Sequence, residues 1–127
     1  MTTKTLDEAD LRQFTGSEQW YRHGLVPKVM FTDGAKHVAD EGGAYWLLDE
    51  IALAQKFDKK VAAEEFQVWT LLRDDAALGK TGNGATLTCD DGNDNVVSRK
   101  HIEFTDFPLP QIKLYCTGNT IMLPSEY

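Results

Sequence analysis

Residues 42–57 decide the fold, and they read GGAYWLLDEIALAQKF. This is the one long segment of the chain that combines strong helical character with a heavy apolar content. On a helical wheel, at about 100° per residue, most of its apolar side chains fall on one side. Such a stripe predicts a helix that packs on the core. Its members are Ala44, Leu47, Leu48, Ile51, Ala52 and Ala54.

A second apolar stripe lies on the opposite side of the same helix. It consists of Trp46, Leu53 and Phe57, and it is flanked by Asp49 and Glu50. A helix that is apolar on two faces is usually covered on two faces. The broad stripe is expected to lie on a sheet, whereas the second is covered either by another part of the chain or by a second copy. The candidate contact surface is Trp46, Asp49, Leu53 and Phe57, with Asp49 on its polar rim.

The length and the net charge of the chain limit the structural and functional classes to which the protein can belong. With 127 residues, 42% of them hydrophobic, the chain is expected to form one globular domain over residues 1–127. Its net charge of −7 argues against direct binding to nucleic acid, which needs a basic surface. No run reaches the roughly 18–20 apolar residues that span a bilayer, and the N-terminus lacks an apolar signal region. We therefore expect a cytoplasmic protein without membrane contact.

The side chains that could hold a transition metal are few and far apart. Cys89 and Cys116 are the only cysteines, and without an export signal they are expected to be reduced and buried. No pair among these cysteines and the histidines His23, His37 and His101 has the short spacing of zinc ligands. We expect no metal and no cofactor.

Two loops match ligand-binding motifs only in part. Gly79-Lys80-Thr81 resembles the end of a phosphate-binding loop, but Asp74 stands where the pattern needs glycine. Asp90–Asn95 resembles the start of a calcium loop, but His101 stands where that loop needs its bidentate glutamate. Both segments are interpreted as turns.

The first half of the chain is predicted to contain a helix and a hairpin. The capping pattern at Thr5 begins a short N-terminal helix that runs to about Phe14, with Leu11 and Phe14 facing inward. Val29–Thr32 has the composition of a strand, and Asp33-Gly34 favours a tight hairpin turn. The return strand would be Lys36–Ala39, although residues 39–41 also suit an early start of the central helix.

Five later segments have the residue types and alternation of strands. They are residues 66–72, 85–89, 96–105, 111–117 and 120–123. Gln67, Trp69 and Leu71 are expected to share one face of the strand over residues 66–72. Ile102 and Phe104 are expected to share one face of the strand over residues 96–105. The predicted fold class is α+β, an antiparallel sheet of about five to seven strands with one long central helix and a short N-terminal helix packed on one face.

Several motifs resemble a family of small uncharacterised bacterial proteins, some of them carried on mobile elements. The resemblance extends from about Leu11 to the end of the chain. Its motifs are Phe14–Glu18, Tyr21-Arg22-His23, Thr32-Asp33-Gly34, Ala44–Ala52, Phe104–Leu109 and Leu123–Tyr127. The family is a domain of unknown function without an assigned activity, so the resemblance implies a single bacterial domain and no particular chemistry.

Three hypotheses about function follow. The first is a non-catalytic interaction protein that forms homo-oligomers, or binds an unknown protein partner, through the second face of the central helix. The second is a small-ligand binder or enzyme, with a pocket beside the irregular segment around Tyr21, Arg22 and His23, in which His23 and Asp49 are the polar groups. The third is an acidic inhibitor of host defence, suggested by the net charge and by the association with mobile elements.

Overall fold

A seven-stranded sheet and three α-helices make up the part of the chain that the computed structural model describes, residues 11–14, 19–76 and 82–127. The strands are β1 (Trp20–Arg22), β2 (Met30–Thr32), β3 (Phe66–Arg73), β4 (Ala85–Asp90), β5 (Val96–Ile102), β6 (Gln111–Thr117) and β7 (Thr120–Met122). The helices are α1 (Asp33–Gly42), α2 (Tyr45–Phe57) and α3 (Lys59–Ala62). The fold class is therefore α+β, as predicted.

The strands lie in the order β1-β2-β7-β6-β3-β4-β5. All neighbours are antiparallel except β2 and β7, which run parallel over two residue pairs. Strand β3 lies inside the sheet and pairs with β6 on one side and β4 on the other. No helix in the described part of the chain has both the length and the apolar character needed to cross a membrane.

Alternation in the central strands places one face of the sheet in the core, as predicted. Gln67, Trp69 and Leu71 of β3 are buried, while the residues between them are half-buried. The same period buries alternate residues of β4 and β6. Cys89 and Cys116 are among these inward residues, and both are free thiols, which confirms their predicted burial.

The broad stripe of α2 is buried, as its helical spacing predicts. Leu47, Leu48, Ile51 and Ala52 have almost no exposed surface, and Gln55 rather than Ala54 completes the buried face. The helix begins at Tyr45 and not at Gly42, because Gly43 ends the preceding helix in the left-handed conformation at φ +60°.

The predicted hairpin at Asp33-Gly34 is wrong, because this dipeptide begins α1. The side chain of Thr32 caps the helix by accepting a hydrogen bond from Ala35 N at 3.3 Å. Asp33 places an acidic group in the first turn, where the helix dipole favours it. Residues 36–39 are therefore helical and do not form a return strand.

The helical layer also differs from the prediction of one long helix and an N-terminal helix. It contains α1 and α2, with 10 and 13 residues, followed by the short α3. Most of the predicted helix over residues 5–14 lies outside the described residues, although Leu11 is buried and Phe14 packs against the core. The segment around Tyr21 is not irregular, since Trp20–Arg22 pairs with β2 as β1.

Strand β5 ends at Ile102, earlier than predicted, so Phe104 does not share a strand face with Ile102. Instead, 68% of Phe104 is exposed. The chain beyond it is held by the backbone N–H of Thr105, which donates to Asn83 O at 2.7 Å. Phe107 is buried and fixes the end of this segment in the core.

A pair of buried amides joins α2 to β3. The side chains of Gln55 and Gln67 donate to each other at 2.7 and 2.8 Å. Gln67 also donates to the carbonyls of Val61 and Glu64, and it accepts the indole N–H of Trp69 at 2.9 Å. Each buried amide therefore has partners, as a polar network in a core requires.

The C-terminal segment closes on the first turn of α1. Glu126 accepts hydrogen bonds from Thr32 Oγ1 at 2.7 Å, from Gly34 N at 3.1 Å and from Leu123 N at 2.9 Å. A carboxylate at this position stabilises the positive end of the helix dipole. Gly34 leaves space for it, since a Cβ atom there would lie 2.2 Å from Glu126 Oε1.

Candidate functional site

His23 and Asp49 form a hydrogen bond between the β1–β2 connection and α2, in which the histidine is buried and the carboxylate is partly exposed. His23 Nε2 lies 2.8 Å from Asp49 Oδ1. The other ring nitrogen, Nδ1, accepts the backbone N–H groups of Leu25 and Val26 at 3.2 and 3.1 Å. This pattern assigns the ring proton to Nε2, which donates to Asp49. Because both nitrogens are engaged, His23 has no free lone pair with which to act as a general base.

A cleft of about 490 Å³ lies beside this pair, and we call it the His23 cleft. Its lining consists of Arg22, His23, Gly24, Leu25, Phe31, Tyr45, Leu48 and Asp49. The guanidinium of Arg22 is held by a hydrogen bond from Nη1 to Pro27 O at 2.7 Å. The structure thus brings Arg22, His23 and Asp49 together, whereas Tyr21 lies outside the lining and stacks on Phe31.

A polar cluster on α1 and α2 borders the cleft through Tyr45. Tyr45 and Lys36 both donate to the carboxylate of Asp40, Lys36 at 2.5 Å. Partial burial favours a higher pKa for Asp40, but the two hydrogen bonds outweigh it and lower the pKa. Burial and the hydrogen bond to Asp40 raise the pKa of Tyr45, so its hydroxyl keeps its proton at neutral pH. The cluster therefore combines an ion pair within α1 with a hydrogen bond between α1 and α2.

A second and larger concavity, of about 810 Å³, separates the helices α2 and α3 from the edge strand β5. We call it the α2–β5 groove. Its apolar lining consists of Leu53, Ala54, Phe57, Trp69, Leu87 and Val97. Phe57 stands at the last turn of α2, and 73% of it is exposed. This groove therefore combines an apolar floor with an aromatic side chain on its rim.

The rim of the groove carries an excess of positive charge. One ion pair joins its walls, from Lys100 on β5 to Glu50 on α2 at 2.7 Å. Lys59, Lys60 and Arg99 also line the groove, and none of them forms an ion pair with a described residue. A chain with a net charge of −7 thus presents a locally basic surface here.

The structure divides the four residues of the predicted contact surface. Leu53 and Phe57 lie together in the groove. Trp46 is half-buried against the core and does not line the groove, and Asp49 lines the His23 cleft. The second stripe of the helix is thus partly covered within the chain and partly open.

Sequence reasoning missed the second wall of the groove. Val97–Lys100 supplies this wall, about 40 positions away from Leu53 and Phe57 along the chain. The one local signal is the run Ser98-Arg99-Lys100-His101, because charged side chains are typical of an exposed edge strand. Among the described residues, no group of three or more His, Cys, Asp and Glu side chains is placed to hold a metal ion.

No curated protein and no solved structure matches the chain. A family model described as "Family of unknown function (DUF6876)" matches residues 5–127, which is nearly the whole chain. This match confirms the resemblance to a family without an assigned activity. The chain therefore belongs to the family of unknown function DUF6876.

Proposed function

We propose that the protein is a non-catalytic interaction protein that associates with a second copy of itself through the α2–β5 groove. The observation that carries this proposal is Phe57, an aromatic side chain with 73% of its surface exposed beside an apolar floor. Covering a phenylalanine side chain contributes about 1.5–3 kcal/mol, so an exposed one at a groove favours association. Buried aromatic anchors of this kind dominate the energies of protein interfaces.

The surroundings of Phe57 also support an interface. Interfaces commonly have an apolar centre and a polar rim. The groove has this arrangement, with Leu53 and Trp69 in its floor and charged side chains of both signs around it. The cytoplasmic location expected from the sequence would keep Cys89 and Cys116 reduced within the core.

Variants of the helix test this proposal. Leu53→Glu and Phe57→Lys, alone and combined, place charge in the apolar part of the groove. Leu25→Lys is the matched control, since Leu25 is 64% exposed and lies outside the groove. The mass in solution is measured by light scattering over a range of concentrations, and circular dichroism verifies the fold.

We expect the wild type and Leu25→Lys to exceed the monomer mass of 14.2 kDa as the concentration rises. The groove variants should remain monomeric. A wild type that stays monomeric throughout, or a folded double variant with unchanged mass, would refute the proposal.

Small-ligand binding in the His23 cleft is the second candidate function. The favouring observation is that Arg22 and Asp49, whose side chains carry opposite charges, line one concavity. These groups suit a small ligand that carries both charges, such as a free amino acid. NMR titration with a panel of amino acids tests it, since shifts confined to the cleft and absent from Asp49→Asn would support binding.

The third hypothesis, an acidic inhibitor of host defence, has less support from the charges. Such an inhibitor needs one continuous negative face. Lys59, Lys60, Arg99 and Lys100 interrupt the negative charge on the side of the molecule that holds the groove.

A further inference from the structure

The loop that follows β5 presents an aromatic side chain on a fixed backbone. Residues 103–106, which we call the Phe104 loop, hold Phe104 with 68% of its surface exposed. The N–H of Thr105 donates to Asn83 O at 2.7 Å, and the hydroxyl of Thr105 accepts the N–H of Phe107 at 3.1 Å. Arg73 donates to Phe107 O at 3.1 Å. A loop whose backbone is fixed in this way loses little backbone freedom on binding.

The chemistry of the Phe104 loop complements that of the α2–β5 groove. Glu103, the residue before Phe104, is exposed and carries a negative charge. The groove offers an apolar floor and the cations Lys59, Lys60 and Arg99, which outnumber Asp58, the acidic lining residue that remains after Glu50 pairs with Lys100. An aromatic side chain with an acidic neighbour is therefore suited to this surface by both burial and charge.

Other exposed apolar side chains fit the groove less well. Trp20 and Leu25 are exposed, but the nearby Arg22 and Lys28 would face cations on the rim. Tyr127 packs against the rings of Phe66 and Tyr115, with centroids 5.1 and 5.6 Å away. Phe104 is thus the best match among them.

We propose that the Phe104 loop of one copy occupies the α2–β5 groove of a second copy. Phe104 covers Leu53 and Phe57, and Glu103 meets the cations Lys59, Lys60 and Arg99. This inference rests on the self-association proposed above and names the residues that the partner copy contributes. Strand β5 forms one wall of the groove and leads directly into the loop, so a two-fold pair can make both contacts at once.

Charge reversal and rescue test the proposal. Glu103→Lys alone should raise the dissociation constant of the homodimer about tenfold, and so should Lys59→Glu combined with Lys60→Glu. The combination of all three changes in one chain should restore it to within a few-fold of the wild type. Phe104→Lys should weaken association as much as Phe57→Lys, while Leu25→Lys leaves it unchanged. The readout is the dissociation constant from analytical ultracentrifugation.

The outcomes separate this inference from the proposed function. If Phe57→Lys abolishes association while the Glu103 and Phe104 variants leave it intact, the groove is an interface but the loop is not its occupant. If charge reversal weakens association without rescue by the combined variant, the pairing of Glu103 with the α3 lysines is overturned. A monomeric wild type removes both proposals together.

Discussion

Gly34 illustrates how one missing side chain permits a long-range contact. A Cβ atom there would displace the carboxylate of Glu126, which is held by three hydrogen bonds. Hydrogen bonds to charged groups contribute about 1.5–3 kcal/mol each, whereas alanine gains about 1 kcal/mol over glycine in helix propensity. We therefore expect Gly34→Ala to lower the free energy of unfolding by about 1–3 kcal/mol, measured by urea denaturation.

Two controls accompany that variant. Gly24→Ala should change stability by less than about 0.5 kcal/mol, because nothing lies within 4 Å of its Cβ position. In a Glu126→Ala background, Gly34→Ala should destabilise the protein less, since the clash with Glu126 is gone and only the one with Leu123 Cδ1, at 2.7 Å, remains. Equal stability of Gly34→Ala and Gly24→Ala would contradict the role assigned to Gly34.

The two cysteines should be unreactive in the folded protein. Burial raises the pKa of both thiols to about 12, from an ordinary value of 9.0. Since the thiolate is the nucleophile, alkylation at pH 8 should be roughly a thousandfold slower in the native protein than in guanidinium chloride. Rapid native labelling, followed by mass spectrometry, would contradict this burial.

The same raised pKa values make the free energy of unfolding fall as the pH rises through the alkaline range. The folded state keeps protons on Cys89 and Cys116 that the unfolded state releases above its thiol pKa, near 9. Their contribution is therefore complete below pH 9 and is lost progressively between pH 9 and 12. We expect urea midpoints to fall in this window, and to fall less in a variant with both cysteines replaced by alanine.

The link between α2 and β3 depends on the amide pair Gln55 and Gln67. Gln67→Leu leaves the indole N–H of Trp69 and the amide of Gln55 without this partner in the core. We expect a loss of about 2–4 kcal/mol in the free energy of unfolding. The double variant with Gln55→Leu should lose less free energy of unfolding than the sum of the two single variants, because the second change removes the amide that the first left without its partner. Additive losses would contradict a coupled pair.

The strands of the core could be predicted because each of them has one buried face. In β4 and β6 the alternation of apolar and polar residues specifies both the element and the inward side. In β3 it specifies the element and its two faces, but not which face is inward, since the buried face carries Gln67. The broad stripe of α2 was equally informative, apart from Gln55, whose burial depends on a partner from β3. Local periodicity could not reveal that partner.

The start of α1 could not be predicted from local pattern. Asp-Gly suits a hairpin turn and also the first turn of a capped helix. Here Thr32 caps the helix and Glu126, 92 residues beyond Gly34, binds its N–H. The choice therefore depends on a contact from the other end of the chain.

The candidate sites were predictable only in part, for a similar reason. Residue types pointed to His23 and Asp49, and the structure places them 2.8 Å apart. The groove beside Leu53 and Phe57 needs β5 at the edge of the sheet. That position follows from the strand order, which the period of single segments does not encode.

At the scale of the molecule, the strands at the centre of the sheet are more extensively paired than those at its β1 edge. β3 is paired on both sides along most of its length, whereas β1 pairs with β2 alone and β2 joins β7 through two residue pairs. We expect amide hydrogen exchange, followed by NMR, to be slowest in β3 and markedly faster in β1. Exchange from β1 as slow as that from β3 would contradict this distribution of stability.

The contact of Glu126 with α1 bears on how the chain folds as it is made. A ribosome releases α1 long before the carboxylate that binds its first turn, and β2 likewise waits for β7. The first turn of α1 and the edge of β2 therefore leave the ribosome before their partners, Glu126 and β7, have been made. Contacts so distant in sequence slow folding, and the growing chain is exposed to chaperones until β7 and Glu126 have left the exit tunnel.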